Sequence, residues 1–222
     1  MVNYDQLLSE RVKIVKPSGI RKFFDIVATM EGAISLGVGE PDFETPWQIR
    51  RAGITSLEKG KTFYTSNWGL AELRAEIAGN IQRKYGLSYD PQKEILVTVG
   101  GSEAIDNAFR AFVSPGDEVL IPQPSYVSYE PCAVLADAVP VIINLKAENE
   151  FRLTAQELRD AITDKTKVLV LPFPNNPTGA IMEKKDLEEI AEVILEKDLF
   201  VISDEIYSEL TYKADHVSIA SI

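Results

Sequence analysis

Four short stretches carry residue types that could act together on a phosphorylated, cationic ligand. Val99-Gly100-Gly101-Ser102-Glu103-Ala104 sets two glycines and a hydroxyl where a strand would give way to a helix. Backbone N–H groups at a helix start bind anions, and glycine lets a phosphate approach the chain closely. The same stretch also reads as a tight turn with Ser102 capping the helix. Pro122-Gln123-Pro124-Ser125-Tyr126 ends a second strand rigidly and offers an aromatic ring, to a ligand or to the core. Pro172-Phe173-Pro174-Asn175-Asn176-Pro177-Thr178-Gly179 is a turn stiffened by three prolines, with Asn176 held out as a donor. Ser203-Asp204-Glu205-Ile206-Tyr207 closes an apolar strand with a carboxylate. A buried aspartate is costly unless it meets a cation, although capping a helix would also explain Asp204. Tyr207 returns to the side of Asp204 if a helical turn follows.

The combination is more informative than its parts. It supplies a phosphate cup, a stacking surface, an amide and a phenol for one oxygen, and a carboxylate for a ring nitrogen. That inventory suits pyridoxal 5'-phosphate. A carboxylate beside the pyridine nitrogen favours the protonated ring, which then withdraws electrons from a neighbouring carbanion.

The surrounding pattern explains how four distant stretches could meet. Short apolar runs at Ile95–Val99, Glu118–Ile121, Val139–Ile143, Val168–Leu171 and Phe200–Ser203 read as strands. Helices are expected between them, near 102–112, 125–136, 154–162 and 184–197. Alternating strands and helices imply a mainly parallel sheet covered on both faces, with ligands at the carboxyl ends of the strands. Upstream, helices are expected over 5–15, 20–30, 46–59 and 72–85, and the run 34–41 reads as extended. The chain stops 18 residues after Asp204, where such a sheet would continue. The domain is therefore expected to be incomplete.

Composition limits the alternatives. The chain has 222 residues, 45% of them hydrophobic and 26% charged, enough to build a sizeable core. Its formal charge of −11 opposes broad binding to nucleic acid or to anionic membranes. The lone Cys132 has no base beside it and reads as a small half-buried hydrophobe in a reducing compartment. No apolar stretch approaches the ~20 residues that span a bilayer, and the start lacks a secretory pattern. The protein reads as cytoplasmic. Gly60-Lys61-Thr62 imitates a phosphate-binding loop, but Thr55 stands where that motif needs glycine. Gly100-Gly101 lacks the third glycine of a dinucleotide fold. His216 is the only histidine and lies in a polar tail, so neither a zinc cluster nor a serine triad is expected.

At these motifs the sequence resembles the class I/II aminotransferases, the fold-type I pyridoxal phosphate enzymes. The Asn-Pro-Thr-Gly turn and the Ser-Asp-Glu-Ile-Tyr strand end, with Asn176 and Asp204 separated by 28 positions, are its most specific parts. Pro17-Ser18-Gly19-Ile20-Arg21, Gly37-Val38-Gly39-Glu40-Pro41-Asp42-Phe43, Tyr64-Thr65 through Gly69, and Glu72-Leu73-Arg74 also look like the family. The resemblance implies an α/β fold, a mainly parallel three-layer sheet of the pyridoxal-phosphate transferase type. Residues 1–40 would form an N-terminal arm with part of a small domain, and 41–222 an incomplete large, cofactor-binding domain. It implies that Gly101, Ser102 and Glu103 bind the cofactor phosphate and that Tyr126 stacks on the ring. Asn176 and Tyr207 would donate to the ring oxygen, and Asp204 would pair with the ring nitrogen. Gly39 would lie near the substrate carboxylate. Tyr64 would reach the phosphate of a neighbouring subunit, which implies a homodimer.

The chain departs from the family in lacking its C-terminal carboxylate-binding arginine, most of its small domain, and its Schiff-base lysine. The Schiff-base lysine, expected in a Ser-Lys context downstream of Asp204, does not occur; Lys213, in Thr211-Tyr212-Lys213-Ala214, lies outside that context. The sequence therefore reads as the N-terminal portion of an enzyme that moves an amino group between an L-amino acid and a 2-oxo acid. A carbon–sulfur β-lyase of the same fold and an inactive fragment are the alternatives.

Overall fold

The computed structural model describes residues 6–16, 19, 26–27, 29–32 and 43–222. The extended run expected over 34–41, with Gly39, lies outside the described residues, as does most of the helix expected over 20–30. The chain divides into two compact units, Met1–Val15 with Trp68–Ile222, and Lys16–Asn67. The smaller unit contains helix α2 (Trp47–Glu58), none of whose residues is buried. The larger unit contains α1 (Glu10–Ile14), α3 (Ala71–Tyr85), α4 (Gly101–Phe112), β1 (Glu118–Gln123), α5 (Tyr129–Leu135), β2 (Val139–Asn144), α6 (Ala155–Ala161), β3 (Thr166–Leu171), α7 (Lys184–Glu196) and β4 (Phe200–Ser203).

The four strands form one sheet in the order β2-β1-β3-β4, every pair parallel. Alternate residues of the central strands enter two separate cores, as the pleat requires. Leu120, Leu169 and Leu171 pack with Leu158 of α6 and with Leu187, Ile190 and Val193 of α7. Val119, Ile121, Val168 and Val170 pack with Ile105 and Phe109 of α4 and with Tyr129 and Ala133 of α5. The helical partners are spaced three or four apart, which is one face of a helix. The expected three-layer arrangement is therefore present. Local signals set the helix ends: Thr154 and Glu157 form a capping box on α6, and Gly86 ends α3 at φ +72°.

Two elements differ from expectation. Ile95–Val99 is not a strand: Val97 N–H donates to the Trp68 carbonyl at 3.1 Å, and no described strand pairs with the segment. Its apolar residues mark a strand only where a neighbouring backbone completes a ladder. The helix expected from 125 begins at Tyr129, after a loop that leaves Tyr126 outside it. Pro122-Gln123-Pro124 occupies the end of β1 and the first loop residue, which postpones the helix.

The path between α3 and α4 depends on one close approach. Gly69 has φ +95°, and a Cβ there would lie 2.5 Å from the Cβ of Val97. Gly69→Ala is expected to destabilise the fold by about 2–4 kcal/mol through steric crowding and left-handed strain. Urea unfolding of the altered and unaltered proteins measures the difference.

Candidate active site

The candidate phosphate cup begins at Gly100, whose φ of +82° turns the chain into α4. No side chain caps this helix, so its first-turn N–H groups remain directed outward. A Cβ built on Gly101 would meet nothing within 4 Å, which leaves the approach to these groups open. Ser102 lies inside the first turn rather than at the cap. The Glu103 carboxylate turns back and accepts the Val99 N–H. Glu103 thus braces the turn, and only its backbone faces the task of holding an anion.

Tyr126 bridges this cup to the rest of the site. Its hydroxyl lies 3.2 Å from Ser102 Oγ. Hydrogen bonds from Ser102 and then Ser128 hold its phenol below the ordinary value. Its ring meets that of Tyr129 edge to face, with centroids 5.7 Å apart.

Tyr129 is 2% exposed, and its hydroxyl donates to Asp204 Oδ2 at 2.8 Å. Burial, followed by the negative charge of Asp204, pushes the Tyr129 phenol well above its usual range, so it stays a donor. Asp204 is positioned from both directions. Its N–H donates to the Leu171 carbonyl at 3.1 Å, continuing the β3–β4 ladder by one bond, and its Oδ1 accepts the Ile206 N–H at 3.2 Å. Tyr207 sits in the following turn, half-buried. Ser102, Tyr126, Tyr129 and Asp204 are thereby linked in one region beyond the strand ends, with Tyr207 three residues further along the chain.

The proline-rich turn leaves the end of β3, next to β4, where Leu171 pairs with Ser203. Asn175 builds it: its Oδ1 accepts Thr178 N–H at 3.3 Å and Thr178 Oγ–H at 3.0 Å. Asn176 is exposed at the tip. Asn175 is 4% exposed, and its Nδ2 has no hydrogen-bond partner. Tyr64 belongs to the smaller unit, where its side chain is exposed. Gly39 falls outside the described residues. Lys213 is exposed. Cys132 is half-buried, and burial pushes its thiol upward.

Three participants escaped the sequence reading. Tyr129 could have been found, because it stands three residues from Tyr126, the spacing that brings residues to one side of a helical turn. Asn175 was hidden behind the neighbouring Asn176. His216 does not lie in a free polar tail: its Nε2 is 2.9 Å from Glu205 Oε2, and its side chain is 10% exposed. Only the return of the chain onto the sheet makes that pairing.

The donors fit a flat ligand with a phosphate at one end and a protonated ring nitrogen at the other. A helix start with a hydroxyl suits the phosphate, a tyrosine the ring face, and a carboxylate the nitrogen. Among the described residues no group of three or more acidic, histidine or cysteine side chains could hold a metal, and no helix is long and apolar enough to cross a membrane.

Comparison with known proteins agrees with this chemistry. Residues 31–222 match the family model described as aminotransferase class I and II. The chain is 48% identical over 216 residues to the aspartate aminotransferase of Pyrococcus abyssi, covering 97% of this chain and 56% of that protein. It is 45% identical over 216 residues to aromatic-amino-acid aminotransferase 2 of Thermococcus litoralis, with the same shares covered. The solved structure of Thermus thermophilus aspartate aminotransferase with maleate superposes with a TM-score of 0.91 at 39% identity, over 96% of this chain and 57% of that one. The chain thus spans little more than half the length of the curated relatives it matches.

Proposed function

Because the chain belongs to the class I and II aminotransferase family, we propose that the polypeptide carrying it transfers an amino group between an L-amino acid and a 2-oxo acid, with pyridoxal phosphate at the carboxyl ends of β1, β3 and β4. The observation that carries this reading is the Tyr129–Asp204 pair at the end of β4, joined through the Tyr126 ring and hydroxyl to Ser102 at the start of α4. Pyridoxal phosphate, when bound, supplies an electron-withdrawing ring that eases removal of the proton from the substrate's α-carbon.

The residues of this chain then have separable tasks. Gly101 and Ser102, with the backbone of Glu103, hold the phosphate. The Ser102 hydroxyl would donate to it while accepting from the Tyr126 hydroxyl 3.2 Å away. Tyr126 covers one ring face. Asp204, oriented by Tyr129 and Ile206, keeps the ring nitrogen protonated by charge pairing. Asn176 and Tyr207 donate to the ring oxygen. Gly39 borders the substrate carboxylate, and Tyr64 reaches the phosphate held by a second copy in a homodimer. Residues 1–40 serve as arm and part of a small domain, and 41–222 as part of the cofactor-binding domain. The lysine that anchors the cofactor and shuttles the proton lies in sequence beyond this chain. We place the protein in the cytoplasm, in amino-acid metabolism.

The test uses the complete polypeptide. Mixed with pyridoxal phosphate, it is expected to develop a near-visible absorbance band that shifts when an amino donor is added, with the matching 2-oxo acid released. A band indifferent to aspartate, alanine, aromatic and branched-chain donors overturns the reading. Release of ammonia and pyruvate from a sulfur amino acid would instead mark a lyase.

A further inference from the structure

We infer that Glu205 is a positioning residue for the site: clamped on the far face of the sheet by Ser203, His216 and Ser218, it fixes the backbone from which Asp204 reaches the ring nitrogen. This rests on the functional reading above and adds a component that touches neither cofactor nor substrate.

Asp204 and Glu205 follow β4 directly, and their side-chain partners lie on opposite sides of the sheet. Asp204 bonds Tyr129, which belongs to the core under α4 and α5. Glu205 borders a small enclosed cavity with Leu171, Phe173, Met182 and Leu187, all on the side of α6 and α7. There its carboxylate is fully engaged. Oε1 accepts Ser203 Oγ–H at 2.8 Å and Ser218 Oγ–H at 2.8 Å, and Oε2 lies 2.9 Å from His216 Nε2. Burial alone would raise this carboxyl, but the bonds from His216, Ser203 and Ser218 outweigh it and hold it below its ordinary range.

The clamp is itself anchored. Ser218 is 5% exposed, and its hydroxyl also accepts the Ala220 N–H, opening the short helical turn Ile219–Ser221. His216 meets the ring of Tyr85, at the end of α3, edge to face at 6.0 Å. Lys84 of the same helix pairs with Glu209. These contacts lie where β4 gives out: the Asp204 N–H makes the last bond of the ladder with β3, and a turn follows in which the Ser208 N–H donates to the Glu205 carbonyl at 2.9 Å. Tyr129 and Ile206 orient the Asp204 side chain, but they act on a backbone that a single ladder bond holds at the strand end, and a small error in direction there loses most of a charge-assisted hydrogen bond. Glu205 supplies a further restraint one residue away.

The experiment measures binding rather than turnover, in the complete polypeptide freed of cofactor. The probes are pyridoxamine 5'-phosphate and its 1-deaza analogue, which lacks the ring nitrogen and so cannot use Asp204. Quenching of protein fluorescence reports both affinities. Glu205→Ala is expected to weaken pyridoxamine phosphate about tenfold while leaving the analogue within about twofold, since only the aimed charge-assisted bond is lost. Glu205→Gln retains an acceptor for both serines and should stay within about 1.5-fold of the unaltered protein for either probe. Should Glu205→Ala fail to fold, Ser218→Ala removes one donor and is expected to give the same selective loss at about threefold. Equal losses for both probes, or none for either, overturn the inference. Failure of the unaltered protein to bind either probe overturns the functional reading itself.

Discussion

Asp204→Asn, made in the complete polypeptide, is expected to lower kcat for amino-group transfer by about 10²–10³-fold, the usual consequence of removing one preorganised electrostatic partner. Asparagine has nearly the shape of aspartate. Its carbonyl oxygen can still accept from Tyr129 or from the Ile206 N–H, the two bonds that orient Asp204. What disappears is the negative charge proposed to keep the ring nitrogen protonated. The proposed phosphate and ring-face contacts do not involve this charge, so cofactor affinity should fall far less than turnover. Steady-state rates with an amino donor, measured beside cofactor affinity and thermal midpoint, separate these effects. A rate within a few-fold of the unaltered enzyme, at full cofactor occupancy, would remove Asp204 from the mechanism.

The largest expected effect on stability belongs to Phe109→Ala. Phe109 is 0% exposed and fills the core between α4 and the sheet, against Val119, Ile121, Val168 and Val170. Truncation should cost about 3–5 kcal/mol, through lost burial and an unfilled cavity. That is a large share of the 5–15 kcal/mol that holds a typical domain together, so urea unfolding should show a clear shift of midpoint. The site should also suffer. Ile105 and Phe109 are the buried residues that seat α4 on the sheet, and the start of α4 is the proposed phosphate cup. Phosphate affinity is therefore expected to weaken even where the altered protein remains folded, as measured by titration with inorganic phosphate.

Much of the molecule was legible because its signals are local. Runs such as Val168–Leu171 lack a polar alternate face, which marks a strand covered on both sides. Leu187, Ile190 and Val193 recur at helical spacing. The glycine corner, the proline-rich turn and the strand-ending aspartate are each contained within a few neighbouring residues. The segment Ile95–Val99 shows the limit of that reasoning. Its composition is that of a strand, yet Val99 is 92% exposed and no described strand pairs with the segment. Being a strand is a property of two backbones, and one segment's composition specifies only its own.

The amino-acid sequence by itself determined the alternation of strands and helices from Glu118 onward and the residue types gathered near the strand ends, because those depend on periodicity and turn chemistry over a few positions. Tertiary structure alone decided who meets whom. Tyr129 and Asp204 are 75 residues apart, and Glu205 finds His216 and Ser218 only after the chain turns back. Such pairings follow from strand register and from which face each residue occupies, and a shift of one residue would exchange Asp204 for Glu205 at the site.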